Sequence, residues 1–292
     1  MGKFEGWYFK HQKNDKTLAL IPGLSKDGAF IQVVTQDKAY NAPYSKHDFR
    51  RLNPVMIGEN KFGMDGVSVN IKAPGLKLTG KIRYRYSNII PLKYHIMGPF
   101  RFLPMACSHD VLSMSHDLYG SFNLNGETID FTGGRGYIEG DSGISFPEGF
   151  TWAQTNDFPA YADRNISVMM AAAKIPFAFS SFWGTICLVQ IDGCCYRLAT
   201  YLGAKILERK ERRLEIKQGD SRLSLEVASE LKPLSLPAPE NGEMSRMIQD
   251  TPSCTVWFKF EHKGRLLLDA PSPYTAYEYC ELKNKDENNG RD

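Results

Sequence analysis

The chain of 292 residues is long enough for one large domain or two ordinary ones, each able to bury a core. Apolar residues make up 42% and charged residues 24%, a globular balance that excludes a largely disordered chain. The net charge of only +3 gives no electrostatic footprint for nucleic acid, and 14 tyrosines with 17 phenylalanines favour sheet over helix.

The first strand-like run is F-E-G-W-Y-F-K at 4–10, in which alternation puts Glu5 on one face with Trp7 and Phe9. The preceding residues carry no apolar signal core, and no Ser or Thr stands where a myristoylation signal needs it after Gly2, so a cytoplasmic protein is expected. L-I-P-G-L-S-K-D-G-A-F-I-Q-V-V turns at Asp27-Gly28. Val67, Val69 and Ile71 then share a face, as do Leu78, Ile82, Tyr84 and Tyr86, while Lys81, Arg83 and Arg85 face water. Residues 87–104, with three prolines, read as a loose connection. In C-S-H-D-V-L-S-M-S-H-D-L, Asp110, Leu112, Met114, His116 and Leu118 align, leaving His109, Ser113, Ser115 and Asp117 on a wetter face. That alternation separates His116 from His109, which argues against a shared metal. Asn125-Gly126 between two alternating runs is the strongest hairpin signal in the chain.

The glycines of F-T-G-G-R-G-Y precede no helical pattern and read as a bulge rather than a nucleotide loop. In Y-I-E-G-D-S-G-I-S-F-P at 137–147, Tyr137, Glu139 and Asp141 share one face: either a surface ladder or acids held inside a barrel. In W-A-Q-T-N, Trp152, Gln154 and Asn156 align. The apolar stretch 166–191 approaches membrane-spanning length, but Lys174, Pro176, Ser180-Ser181 and Gly184 divide it into two buried strands and a loop. That loop, Phe177–Trp183 with Phe177, Phe179, Phe182 and Trp183, is apolar enough either to pack in a core or to touch a bilayer surface.

Asp192-Gly193 marks a further hairpin, and the charged run 205–217 reads as a solvated hairpin tip. Residues 232–244 look loose, and 284–292 form a polar tail. About sixteen strand-like runs fit two tandem antiparallel barrels of the lipocalin sort, whose interiors can enclose a small hydrophobic ligand. The all-β chain is therefore divided as 1–140, 141–283 and the tail. Six cysteines lack zinc or redox spacing and read as small buried hydrophobes in a reducing compartment. No phosphate loop runs from a strand into a helix, and no G-x-S-x-G elbow is present.

Taken in order, F-E-G-W-Y-F-K (4–10), H-D-L-Y-G-S-F-N-L-N-G (116–126), G-G-R-G-Y-I-E-G-D-S-G-I-S-F-P (133–147), W-A-Q-T-N (152–156), A-K-I-P-F (173–177) and A-T-Y-L-G-A-K-I (199–206) resemble the tocopherol cyclase family. The resemblance implies paired lipocalin-like barrels, more distantly akin to carotenoid hydratases and AttH-type proteins. It implies closure of a chromanol ring on a prenylated hydroquinone, with no metal or organic cofactor. Such chemistry needs a carboxyl group kept protonated in a dry cavity and aromatic faces to steady a tertiary cation. Carried onto this chain, the resemblance makes Glu139 or Asp141 the proton donor. Tyr137, Trp152, Gln154 and Asn156 would shape and orient the substrate, with Glu5 and Trp7 as neighbours. Asp110 and His116 join as substrate-binding candidates from the face argument alone. The chain departs from the family pattern at Gly140, where a basic residue is usual, and at Ser142, where an aromatic is usual. Three activities follow from these readings: cyclisation of an isoprenoid or prenylated quinol, carriage of such a molecule unchanged, and hydration.

Overall fold

The computed structural model describes residues 3–86, 95–103, 105–177 and 180–281, with 22 strands among them and only single turns of 3₁₀ helix. The first half contains β1 (Phe4–Lys13), β2 (Lys16–Leu24), β3 (Ala29–Thr35), β4 (Ala39–Tyr44), β5 (Phe49–Arg50) and β6 (Val55–Ile57). It continues with β7 (Asn60–Gly63), β8 (Gly66–Ala73), β9 (Leu76–Arg85), β10 (Cys107–Leu124), β11 (Glu127–Asp130) and β12 (Arg135–Gly143). The second half holds β13 (Phe150–Thr155), β14 (Ile166–Phe177), β15 (Ser180–Ile191), β16 (Cys194–Ala199) and β17 (Lys205–Lys210). It ends with β18 (Arg213–Gln218), β19 (Ser221–Val227), β20 (Leu234–Glu240), β21 (Glu243–His262) and β22 (Arg265–Cys280).

Every ladder is antiparallel. The first sheet runs β4-β3-β2-β1-β12-β10-β9-β8-β7-β6-β5, with β11 on β10; the second runs β16-β15-β14-β13-β22-β21-β19-β18-β17, with β20 on β21. Each curls around its own core. Phe9, Leu20, Ile31, Ala42, Ile57, Val69 and Phe122 meet inside the first, drawn from strands at both ends of its order. Val168, Cys187, Leu198, Leu214, Leu223 and Phe258 do so inside the second. The protein is thus a pair of lipocalin-like antiparallel barrels. The division expected at 140/141 falls inside β12, and the sheets hand over at residues 144–149 instead.

The hairpin signals mark real turns. Asn125 and Gly126 take φ values of 53° and 98°, and Asp192 and Gly193 take 46° and 89°, the left-handed pairs that two-residue hairpins demand. The 166–191 stretch is a strand pair, β14 on β15, and the charged 205–217 run is the β17–β18 hairpin. No helix among the described residues is long and apolar enough to cross a membrane. The segment 232–244 is more regular than its prolines suggest. It forms β20, which pairs with β21 alone, so the amide hydrogens missing at Pro237 and Pro239 leave no second ladder broken. The short strands β5, β6 and β7 are too brief to show alternation, which is part of the reason that fewer runs, about sixteen, were legible. Cys194 and Cys195 lie exposed on β16 rather than buried, while Cys187 and Cys254 are buried as small apolar groups.

Buried side chains pack together inside each barrel. A third cluster, containing Tyr8, Tyr137, Trp152, Met169, Leu188 and Ile248, packs in the seam between the sheets. Lys10 is buried in that seam and donates to Gln154 Oε1 at 3.2 Å and to the Tyr274 carbonyl at 3.0 Å.

Inside the first barrel, β12 passes so close to His116 that a Cβ at Gly136 would strike the imidazole, itself held between the Tyr84 and Tyr86 rings. Replacing Gly136 with alanine is expected to cost about 2 kcal/mol by overpacking. Thermal unfolding should therefore begin several degrees lower, and an unchanged melting temperature would contradict this packing.

Candidate functional site

The cavity lies between the barrels, not inside either one. It has a volume of about 200 Å³ and is bounded by Phe4, Tyr8 and Phe30 from the first sheet and by Phe150, Trp152 and Ile248 from the second. Its size has a local cause. Ala171 and Ala173 on β14 face the seam with almost no side chain, and Gly184 on β15, opposite Ala173, lines it beside them. Met97 and Phe100 close it from a segment that crosses to the second barrel, where Tyr201 Oη donates to the Ile96 carbonyl at 2.6 Å.

Four carboxyl groups approach this seam, and Glu139 is the most elaborately held. It is 6% exposed. Tyr137 Oη donates to its Oε2 at 2.6 Å and Trp152 Nε1 donates to the same oxygen at 3.2 Å. His109 Nε2 stands 3.5 Å from that oxygen, and His109 Nδ1 is 2.9 Å from Asp141 Oδ1. Burial pushes Glu139 up, and despite the pull of His109 and the two donors it reaches about 7. Burial opposes the charge on His109, but Asp141 and then Glu139 outweigh it and raise the imidazole to about 9. At neutral pH the site therefore holds an imidazolium between Asp141 and a carboxyl group that is ready to exchange its proton.

His109, Glu139 and Asp141 each bring one ligand atom within 4.8 Å of the others, the donor set of a divalent-cation site. No metal was expected at this place. The Glu139 oxygen nearest the imidazole already accepts from Tyr137 and Trp152, so a cation would have to compete with both donors for it.

Tyr137, Glu139 and Asp141 do share a face, and that face looks into the seam rather than into a barrel. Trp152 and Trp7 reach the cavity wall. Among the described residues neither acid pairs with an arginine: Arg135 pairs with Asp117 at 2.6 Å and Arg164 with Asp192 at 2.7 Å. Gln154 and Asn156 lie further along the same face, below the cavity: Gln154 holds Lys10, and Asn156 Nδ2 donates to the Gly136 carbonyl at 2.9 Å. They lock the seam and do not line the pocket.

Three expected residues lie elsewhere. Glu5 points away from the cavity and is paired with Arg51, whose Nε donates to Oε1 at 3.2 Å. Both faces of β1 are buried, so alternation could not say which faces the ligand; Phe4, Gly6 and Tyr8 form that face. Asp110 meets His95 at 3.5 Å outside the cavity. His116 is a core histidine bonded to Ser113 at 2.9 Å, and burial lowers it to about 3. Alternation separates His109 from His116, and the ladder keeps them apart: His109 stands opposite Asp141 and faces the seam, whereas His116 stands opposite Gly136 and faces the first barrel. Two register shifts lie between them, and because each adds one residue they cancel, moving only Ser113 towards His116 and Met114 into the seam. The face of His109, expected to be the wet one, is the one that meets the cavity. Gly140 lies against Trp7, whose Cδ1 would stand 3.0 Å from an added Cβ, so a larger side chain there would have to displace the indole.

The apolar loop is partly accounted for. Phe182 packs on Phe100 at 6.3 Å between ring centroids, and Arg209 lies 4.1 Å over the Trp183 ring. Phe179 and the side chain of Phe177 lie outside the described residues.

Removing the Tyr137 hydroxyl withdraws a donor that favours the Glu139 carboxylate. Tyr137→Phe should therefore raise the Glu139 titration midpoint by about one unit. Carbon NMR of side-chain-labelled glutamate reads this directly, and an unmoved midpoint would remove the hydroxyl from the site.

Against known proteins, the chain matches the solved structure of CghA with Sch210972 with a TM-score of 0.55 at 11% sequence identity, covering 97% of this chain and 90% of that one. It matches a provisionally named AttH of Nitrosomonas europaea with a TM-score of 0.51 at 11% identity, over 96% of this chain and 92% of that one. Neither a protein-family model nor a curated protein sequence matches it. At these identities the likeness establishes the shared fold, a lipocalin-like barrel pair.

Proposed function

We propose that the protein is an acid-catalysed cyclase acting on a hydrophobic isoprenoid or prenylated hydroquinone, with Glu139 as proton donor. The observation that carries this reading is a buried carboxyl group titrating near 7 on the wall of an apolar cavity. The ordered motifs resembling tocopherol cyclases point the same way, and CghA, a protein of the same fold, is known in complex with Sch210972.

In this mechanism Glu139 gives its proton to the less substituted carbon of a trisubstituted alkene, forming a tertiary cation. The Tyr8 and Trp152 rings, edge to face with centroids 5.6 Å apart, offer π density to that charge. A phenol oxygen of the same molecule attacks the cation to form the ring C–O bond, and its proton returns to the Glu139 carboxylate. No atom is gained or lost, so the reaction is an isomerisation. A carboxylic acid of pKa near 7 is a weak donor to an alkene. The stabilisation must come from the carboxylate left behind, which receives hydrogen bonds from Tyr137 and Trp152 and faces the His109 imidazolium. Asp141 keeps that imidazole charged and oriented.

Incubation with a panel of prenylated hydroquinones and linear isoprenoids, followed by mass spectrometry and chromatography, tests this. A ring-closed product of unchanged mass is expected, lost by about 10²–10⁴-fold in Glu139→Gln. Unchanged ligand recovered from a tight complex would instead make the protein a carrier, and a product heavier by one water would make it a hydratase.

The pH profile is a separate check. Glu139 donates only while protonated, so the rate should be level just below about 7 and fall about tenfold per unit above it. His109 stays charged across that fall because its own value lies near 9. A rate that rises through pH 7 would show Glu139 acting as a base.

A further inference from the structure

The mechanism leaves one carboxyl group in the cavity unused. Glu278 on β22 stands directly opposite Trp152 on β13 and opposite Asp250 on β21. Directly paired residues of an antiparallel ladder share a face. Glu278 therefore projects with Trp152 towards the seam, and it lines the cavity.

Its surroundings differ from those of Glu139. Tyr137, Trp152 and His109 converge on Glu139, whereas among the described residues no hydrogen bond or ion pair holds Glu278. Beside it, Asp250 is 1% exposed and neither of its carboxyl oxygens has a hydrogen-bond partner. The buried Tyr8 hydroxyl also lacks a partner and feels Asp250, Glu139 and Glu278 together. Burial, then the neighbouring Asp250, Glu139 and Asp141, drive Glu278 well above the usual carboxylate range. That shift favours the protonated acid, one donor and one acceptor, on a half-buried side chain in an apolar wall. A polar group in such a place without a protein partner calls for an explanation, and a neutral acid is suited to donating a hydrogen bond.

We infer that Glu278 anchors the ligand: its carboxyl group hydrogen-bonds an uncharged oxygen, hydroxyl or carbonyl, on an otherwise hydrophobic molecule, and the surrounding acids turn carboxylate ligands away. This rests on the cavity's taking a hydrophobic molecule, as proposed above, but not on Glu139's donating a proton. Trp152 connects the two positions, since its indole bonds Glu139 and its backbone pairs with Glu278. An oxygen held at Glu278 fixes which end of an elongated substrate faces the acid.

Binding alone tests the anchor. Tryptophan-fluorescence titrations at pH 7 with farnesol, farnesene and farnesoate compare an alcohol, a hydrocarbon and a carboxylate on one carbon skeleton. Wild type should bind farnesol about tenfold tighter than either of the others, the worth of one hydrogen bond. Glu278→Leu should abolish the preference for farnesol over farnesene while farnesene binds as before. Glu278→Gln, which keeps a donor and an acceptor in nearly the same shape, should retain that preference, and it keeps the test alive should leucine disturb the strand. Glu139→Gln should lose turnover with the farnesol preference intact. Equal binding of farnesol and farnesene by wild type, or a preference that survives Glu278→Leu, overturns the anchor and leaves the acid role of Glu139 standing. Failure of all three to bind overturns the ligand class itself.

Discussion

The withdrawal of the Glu139 carboxyl group from water is the condition on which the rest of the site depends. Hydrated, this glutamate would be an ordinary carboxylate at neutral pH and have no proton to give. Burial changes that, and it is tolerable only because the oxygen that receives charge is met by donors. Those donors come from both barrels: Tyr137 and His109 belong to β12 and β10 of the first sheet, Trp152 to β13 of the second. The acid is therefore a property of the packed pair. Separating the sheets would hydrate Glu139 and remove the indole in one movement.

The seam that keeps it dry is built in layers. Near the cavity the contacts are aromatic and aliphatic, with Tyr8, Trp152, Met169 and Leu188 interlocked. Below lies a polar layer in which Lys10 ties Gln154 to the Tyr274 carbonyl, and burial has lowered that lysine to about 8. A buried ammonium without such acceptors would be costly, so the layer admits one register of the two sheets and few others. The small residues of β14 then decide where the seam fails to close. Packed barrels with an open seam are the reverse of the single-barrel pocket that the strand pattern suggested, and the result is a site with two dissimilar walls.

Those walls carry carboxyl groups in contrasting states. Glu139 is surrounded by donors and balanced near neutrality; Glu278 has acids for neighbours, which favour its protonated form. Two acids of the same kind thus acquire separate roles from their neighbours alone, which is how one cavity can both hold a molecule and move a proton.

The strands, their hairpins and their inward faces were legible along the chain because each depends on neighbours one or two residues away. Asn125-Gly126 needs only its own backbone to turn, and Val67, Val69 and Ile71 need only alternation. The same local logic put Tyr137, Glu139 and Asp141 on one face and aligned Trp152 with Gln154 and Asn156; that the two sets meet was implied only by the family resemblance. That logic stopped short at β10. Alternation set His109 and His116 on opposite faces, as they are, but could not say which face meets the cavity. Two bulges set by the partner strand displaced the residues between them without a mark in the periodicity. It also failed at β1 and at Glu278, since in a strand buried on both sides alternation separates two sets of residues without saying which set meets the cavity. The chain by itself determined the β architecture and an acid with aromatic company, features of short-range order. Only the packing of one barrel on the other decided where the empty space lies, which acids lose their water and which histidine stands beside them, because desolvation arises from surfaces far apart in sequence.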